Sequence, residues 1–217
     1  MAATATVRTA RVSSRDRREQ YLDAAARIAA DQGVAMVTME AVAAAVGVNK
    51  ALLYRQFDNR GEILLELFDR EMGALDRKVE QATEGICGFE PKVRAWAQAW
   101  FDHLAERAAL FNRLMEARTI APDVAVRHRE RLRRLERTYG DWYAEELGIP
   151  VEEARDAARV LLAGLGGALD RWRTAPSRAT RNRLERTYVE LMLAGLQALG
   201  DSSRVSSAKQ PARATRP

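Results

Sequence analysis

Long stretches of this chain run without a proline. Six occur in 217 residues, and three of them lie at or beyond Pro176. Proline removes a backbone donor and clashes with the preceding helical turn, so its scarcity leaves helices free to extend. Alanine, leucine, arginine and glutamate dominate, and all are good helix formers. Apolar residues recur at three- and four-residue spacing and nowhere alternate as in a strand. The chain is predicted to be all-α.

Breakers and caps divide it into nine helices. Ser14 caps the first, which carries Tyr21, Leu22, Ala25, Ile28 and Ala29 on one face and ends at Gly33. Thr38 caps a second, from Met39 to about Ala45, and Gly47 breaks it. Asn49 caps a third, from Lys50 to about Phe57. Asn59, with Glu62 three residues on, forms a capping box for a long fourth helix that fades near Gln81. A fifth runs from Pro91 to about Arg107, a sixth from Ala109 to Arg118, and a seventh from Asp123 to Leu147. Gly148 and Pro150 stop the seventh. The last two span about Val151 to Thr174 and Ser177 to Leu199, broken at Pro176.

The ends carry no apolar period. Residues 1–13 are read as a disordered basic arm rather than a transit peptide, although Ala, Thr, Ser and Arg are common to both. Residues 201–217 are read as a disordered tail. Between them, residues 14–59 are expected to form one domain and 60–200 another.

At 47% hydrophobic and 30% charged, the chain can bury a core. Its formal charge of +5 suits nucleic acid or an acidic surface, a trait shared by many basic proteins that bind neither. Cys87 is the only cysteine, which excludes an internal disulfide and suits a reducing cytoplasm, the expected location. No apolar run approaches the roughly 20 residues that span a bilayer, so no membrane partner is expected.

The stretch from Val37 to Phe57, VTMEAVAAAVGVNKALLYRQF, is the most informative. It reads as two short helices joined by a tight turn at Gly47. Val42 and Val46 lie on one face of the first, and Val48, Leu53 and Phe57 can pack against them. This leaves Asn49, Lys50, Ala51, Leu52, Tyr54 and Arg55 on or near an exposed surface. A helix fits the major groove, where base edges are distinguishable. Thr38 and Asn49 also have the plainer reading of helix caps, Tyr54 that of a half-buried ring, and Arg60 that of a solvated charge.

The residues from Arg18 to Leu65 resemble the TetR family of transcriptional regulators. The pattern is carried by Gly33, Thr38, Val42-Ala43, Gly47-Val48-Asn49, Leu53-Tyr54, Phe57 and Arg60. Asn49 stands where the family usually has Ser, Arg60 where Lys is commoner, and Gly61 is unusual so early in a helix. The resemblance implies an N-terminal three-helix helix-turn-helix domain on double-stranded DNA. It also implies a C-terminal helical domain for a small-molecule effector and for dimerisation, and repression as the default action. By the same resemblance, Thr38 would hold phosphate through its hydroxyl and backbone. Asn49, Lys50, Ala51 and Leu52 would face base edges, and Tyr54 and Arg60 would hold phosphates.

In the second domain the candidates are physical. Trp100, His103, Phe111, Met115, Tyr139 and Trp142 supply the aromatic, Met and polar groups an apolar ligand pocket needs, though such stripes also build plain cores. Residues 151–199 are expected to carry the homodimer interface. Leu161, Gly164, Leu165, Ala168 and Trp172 mark one helix of it, and Leu184, Tyr188, Leu191, Met192 and Leu196 the other. Gly164, Gly166 and Gly167 suit close approach of another helix; a bend or a pocket wall would tolerate them too.

Enzymatic chemistry has little to stand on. His103, His128 and Cys87 are too few for a typical structural zinc site, and there is no glycine-rich phosphate loop or nucleophile elbow. No cofactor is expected.

Overall fold

The computed structural model describes residues 14–118, 121–174 and 176–209. The arm expected at residues 1–13 lies outside them, as do residues 210–217 of the expected tail.

Every regular element among the described residues is helical, in accord with the sequence. The order is α1 (Ser14–Gln32), a 3-10 turn (Val34–Met36), α2 (Met39–Val46), α3 (Lys50–Tyr54), α4 (Arg60–Thr83), α5 (Phe89–Ala117), α6 (Pro122–Leu147), α7 (Val151–Thr174) and α8 (Arg178–Lys209). The fifth and sixth predicted helices are one run, α5. Arg107, with φ −116° and ψ 17°, kinks it where the sequence suggested a break. At its end, α8 departs further from expectation. It passes through Gly200 to Lys209 instead of stopping near Leu199. A Cβ on Gly200 would lie 3.5 Å from the Leu147 carbonyl oxygen, so the glycine that looked like a stop serves close packing.

The chain forms two compact units. One comprises residues 14–71 with 109–125, the other residues 72–108 with 126–209. The sequence-based division at residue 59 follows the DNA-binding motif. The compact units follow contacts, and α4, α5 and α6 each contribute to both.

The first unit closes around Tyr21, Leu22, Ile28, Val37, Val42, Leu53, Phe57, Ile63, Leu64 and Leu67, all buried. Tyr21 meets Phe57 edge-on at 6.3 Å. Arg18 ties α1 to α4. Its guanidinium lies 4.1 Å over the Phe57 ring and pairs with Glu62 at 2.7 Å and with Glu66. Asn59 Oδ1 accepts the Glu62 amide at 3.1 Å, while the Glu62 carboxylate accepts the Asp58 amide at 2.6 Å, closing the predicted capping arrangement one residue early. Gly61 then has a reason. A Cβ there would stand 2.9 Å from Asn59 Oδ1 and displace the cap.

In the second unit, Trp96, Trp100, Phe101, Leu104, Tyr143, Leu165, Tyr188, Met192 and Leu196 are buried. The Tyr188 hydroxyl donates to the Leu161 carbonyl at 2.9 Å and fixes α8 against α7. Burial raises the pKa of the Tyr139, Tyr143 and Tyr188 hydroxyls, so all three stay neutral.

Candidate nucleic-acid interface

The reading surface is built by two caps and one turn. Thr38 Oγ1 accepts the Ala41 amide at 3.0 Å and starts α2. Gly47 ends it in the left-handed region, φ 74° and ψ 32°, where a side chain is strained. Asn49 Oδ1 then accepts the Ala51 amide at 2.9 Å and starts α3. The single fully buried residue of α3, Leu53, anchors this five-residue helix in the core. Its other residues face outward. Lys50 and Ala51 are exposed, and Leu52 and Tyr54 retain 39% and 46% of their surface. Both are large apolar side chains left partly uncovered on a five-residue helix.

Two side chains stand differently from their sequence-derived roles. Arg60 donates from Nε to the Val37 carbonyl at 2.6 Å and from Nη2 to the Val34 carbonyl at 2.9 Å. It therefore fastens the start of α4 to the 3-10 turn and the approach to Thr38, and Nη1 with the second hydrogen of Nη2 is left for a phosphate. Lys50 forms an ion pair with the Glu40 carboxylate, 5.5 Å above the Tyr54 ring. The hydrogen bond that Lys50 donates to Glu40 holds the lysine pKa above its ordinary value, and Glu40 is correspondingly lowered. Sequence reasoning missed Glu40 because its ten-residue separation from Lys50 becomes a contact only through the angle of the turn.

Arg60→Ala separates the two roles. Loss of charge-assisted bonds to two partly buried carbonyls should cost about 1–3 kcal/mol of stability, read from urea unfolding without DNA. A phosphate contact alone would leave that midpoint unchanged.

Residues 22–67 match the family described as bacterial regulatory proteins, tetR family. The match covers the caps, the turn, α3 and the start of α4. Over these residues the chain is similar to the TetR family. A curated relative, the HTH-type transcriptional activator FasR of Mycolicibacterium smegmatis, is 26% identical over 149 residues, 68% of each chain. The crystal structure of a protein of Pseudomonas aeruginosa PAO1, described as a transcriptional regulator, superposes with a TM-score of 0.76 at 20% identity. It covers 91% of this chain and 99% of that one. SmeT, solved as a complex with triclosan, superposes with a TM-score of 0.65 at 22% identity over 82% and 90%. These similarities point to a DNA-binding transcriptional regulator.

The six effector candidates are divided between the two compact units. Trp100 and Tyr139 are joined through Trp96, whose ring lies 6.0 Å from Trp100 and 5.4 Å from Tyr139. Trp96 Nε1 donates to the Tyr139 hydroxyl at 2.8 Å. His103 is buried on the same helix. Trp142 sits in a separate cluster, 5.1 Å from Phe89 and 5.3 Å from Tyr143, with Lys92 over its ring. Phe111 and Met115 belong to the other compact unit. Trp96, one turn before Trp100, is buried and links it to Tyr139.

The expected interface helices also divide. Leu165, Tyr188, Met192 and Leu196 are buried within the chain, so Leu165 belongs to its core. Val160 and Leu191 remain 70% and 69% exposed. They edge an apolar groove of about 510 Å³ floored by Leu161, Gly164, Tyr188 and Met192.

Among the described residues no helix is long and apolar enough to cross a membrane, and no group of His, Cys, Asp or Glu could hold a metal ion.

Proposed function

We propose that this protein acts as a dimeric repressor that binds a near-palindromic operator and is released by a small apolar or amphipathic effector. The observation that carries the DNA reading is the exposed face of α3, with Lys50, Ala51, Leu52 and Tyr54 presented on a helix held by Asn49 and Leu53. Lys50 is the base-reading cation, Leu52 the apolar contact suited to a thymine methyl, and Tyr54 and Thr38 the phosphate contacts that set register. Arg60 supports them from behind. A two-fold dimer implies inverted half-sites about one helical turn apart, or a multiple of it.

Support for the dimer is the groove edged by Val160 and Leu191. Two exposed aliphatic side chains and the small residues Gly164 and Gly195 suit a second copy of the same pair of helices, giving a four-helix bundle. Support for an effector is the Trp96–Trp100–Tyr139 cluster, together with the triclosan held by SmeT. α4 belongs to both compact units, so a ligand that displaces one end of this helix acts on the other.

Activation is a second reading, favoured by the relative FasR, which is named an activator. Position of the operator relative to the promoter separates the two, since a repressor's site overlaps it.

Mobility shift with the DNA upstream of the protein's own coding sequence tests DNA binding. The complex should weaken by orders of magnitude between low and moderate salt, because phosphate contacts release counterions. Tyr54→Ala should weaken binding to every sequence alike, with a shallower salt dependence for lost phosphate contacts. Binding that ignores salt, or survives Tyr54→Ala unchanged, would contradict the assignment.

A further inference from the structure

Arg131 is a charge in an unusual place. Its side chain is 4% exposed on α6, inside the second compact unit. Nη2 pairs with the carboxylate of Asp76 on α4, and Nε has no hydrogen-bond partner. The guanidinium lies 5.6 Å from the centre of the Trp100 ring, and the Tyr139 hydroxyl is near enough to feel its charge. Asp76, by contrast, is 51% exposed. A buried guanidinium retains a desolvation penalty that one half-exposed carboxylate does not fully offset. If the pair served packing alone, an apolar residue at position 131 would serve as well.

The two partners differ in how freely they leave. Asp76 can turn into water at little cost; Arg131 cannot. The pair therefore marks an anion position, open to solvent on the Asp76 side and bounded on the other by the indole of Trp100 and its neighbours Trp96 and Tyr139. Arginine offers a planar fork of donors that fits a carboxylate or phosphate.

We propose that Arg131 anchors the anionic head group of an amphipathic effector, with Asp76 holding that position until the ligand arrives. This rests on the effector reading above and gives it a chemical class: a carboxylate or phosphate on an apolar body. Binding exchanges one carboxylate for another at Arg131 and frees Asp76, which lies on α4. The helix that carries Asp76 begins at Arg60, so the exchange acts on an element shared with the DNA-binding unit. A quaternary ammonium ligand is disfavoured at the same aromatic rings, because Arg131 already supplies positive charge beside them.

The test uses probes of one chain length: decanoate, decyl phosphate, decanol and decyltrimethylammonium. Each is titrated into the full chain, with tryptophan fluorescence and calorimetry as readouts. The wild type should bind decanoate roughly tenfold or more tighter than decanol, the factor expected for a charge-assisted hydrogen bond. Decyl phosphate tighter than decanoate assigns a phosphate head; the reverse assigns a carboxylate. Arg131→Met should bind decanoate and decanol alike. It should fold, because it leaves only a half-exposed Asp76 unpaired. Asp76→Asn should bind decanoate severalfold more tightly than the wild type, with decanol unchanged, since the competing carboxylate is gone. Equal affinity of the wild type for decanoate and decanol overturns the anchor and leaves an apolar effector site standing. A preference for decanoate that survives Arg131→Met also overturns it. Failure of all four probes to bind overturns both the anchor and the effector reading.

Discussion

Leu191→Arg should turn the dimer into a folded monomer. Leu191 is 69% exposed within the chain, so arginine there disturbs no internal packing. In the proposed bundle the same side chain would carry its charge into an apolar seam beside Val160 and Met192, with no partner. Unpaired buried charge costs several kcal/mol. Each 1.4 kcal/mol is tenfold, so the dimer constant should weaken by roughly 100-fold or more. Sedimentation should show a monomer with unchanged helical circular dichroism. Operator affinity should collapse with it, because one half-site is then bound at a time. Leu165→Arg is the contrast. Leu165 is 2% exposed inside the chain, so arginine there should unfold the second unit instead of separating subunits. A Leu191→Arg protein that still sediments as a dimer would move the interface off this groove.

Effector and operator should weaken each other's binding by the same factor. The hypothesis follows from α4, which runs from Arg60 to Thr83 as one helix and contributes to both units. At 1.5 Å per residue its 24 residues extend roughly 36 Å. A ligand that binds beside Trp100 must prefer the conformation that does not fit DNA if it is to release the operator. Linkage then makes the effect reciprocal, and typical coupling of about 1–3 kcal/mol corresponds to roughly 5- to 150-fold. Trp96 and Trp100, 6.0 Å apart, should report occupancy through their fluorescence. The measurement is the affinity of a bound ligand with and without saturating operator. Equal values in both conditions would refute release by this route, even for a ligand that binds well.

What was legible in the sequence was local. Thr38 and Asn49 were named as caps, and each accepts the amide expected of it. The break near Arg107 is a kink at that residue, and Gly47 adopts the left-handed turn its place required. These features depend on a few neighbouring residues, and short-range chemistry decides them. Features set by packing angle were not legible. Lys50 was read as a base contact, and that the turn brings Glu40 to it was not foreseen. Arg60 was read as a phosphate contact, and its reach back to two carbonyls more than 20 residues away in sequence could not be read from the sequence. Leu165 and Leu191 were read as equivalent, because helical period shows that a residue is on an apolar face without showing what covers it. Nothing in the sequence singles out Arg131 among the arginines of α6, and only the fold buries it. Gly200 misled for a related reason. Its missing side chain marks a stop in the sequence, yet here it makes room for Leu147.

Selection from a random-sequence DNA library by the full chain tests the central claim most directly, that the face of α3 reads DNA sequence in a two-fold dimer. Wild-type protein should enrich an inverted repeat with half-site centres about one helical turn apart, or a multiple of it. Lys50→Ala should change base preference at one position per half-site by about 1–3 kcal/mol and leave the others intact. An unenriched library would contradict specific binding altogether. Uniform weakening by Lys50→Ala across all sequences would show that the lysine holds a phosphate and reads no base.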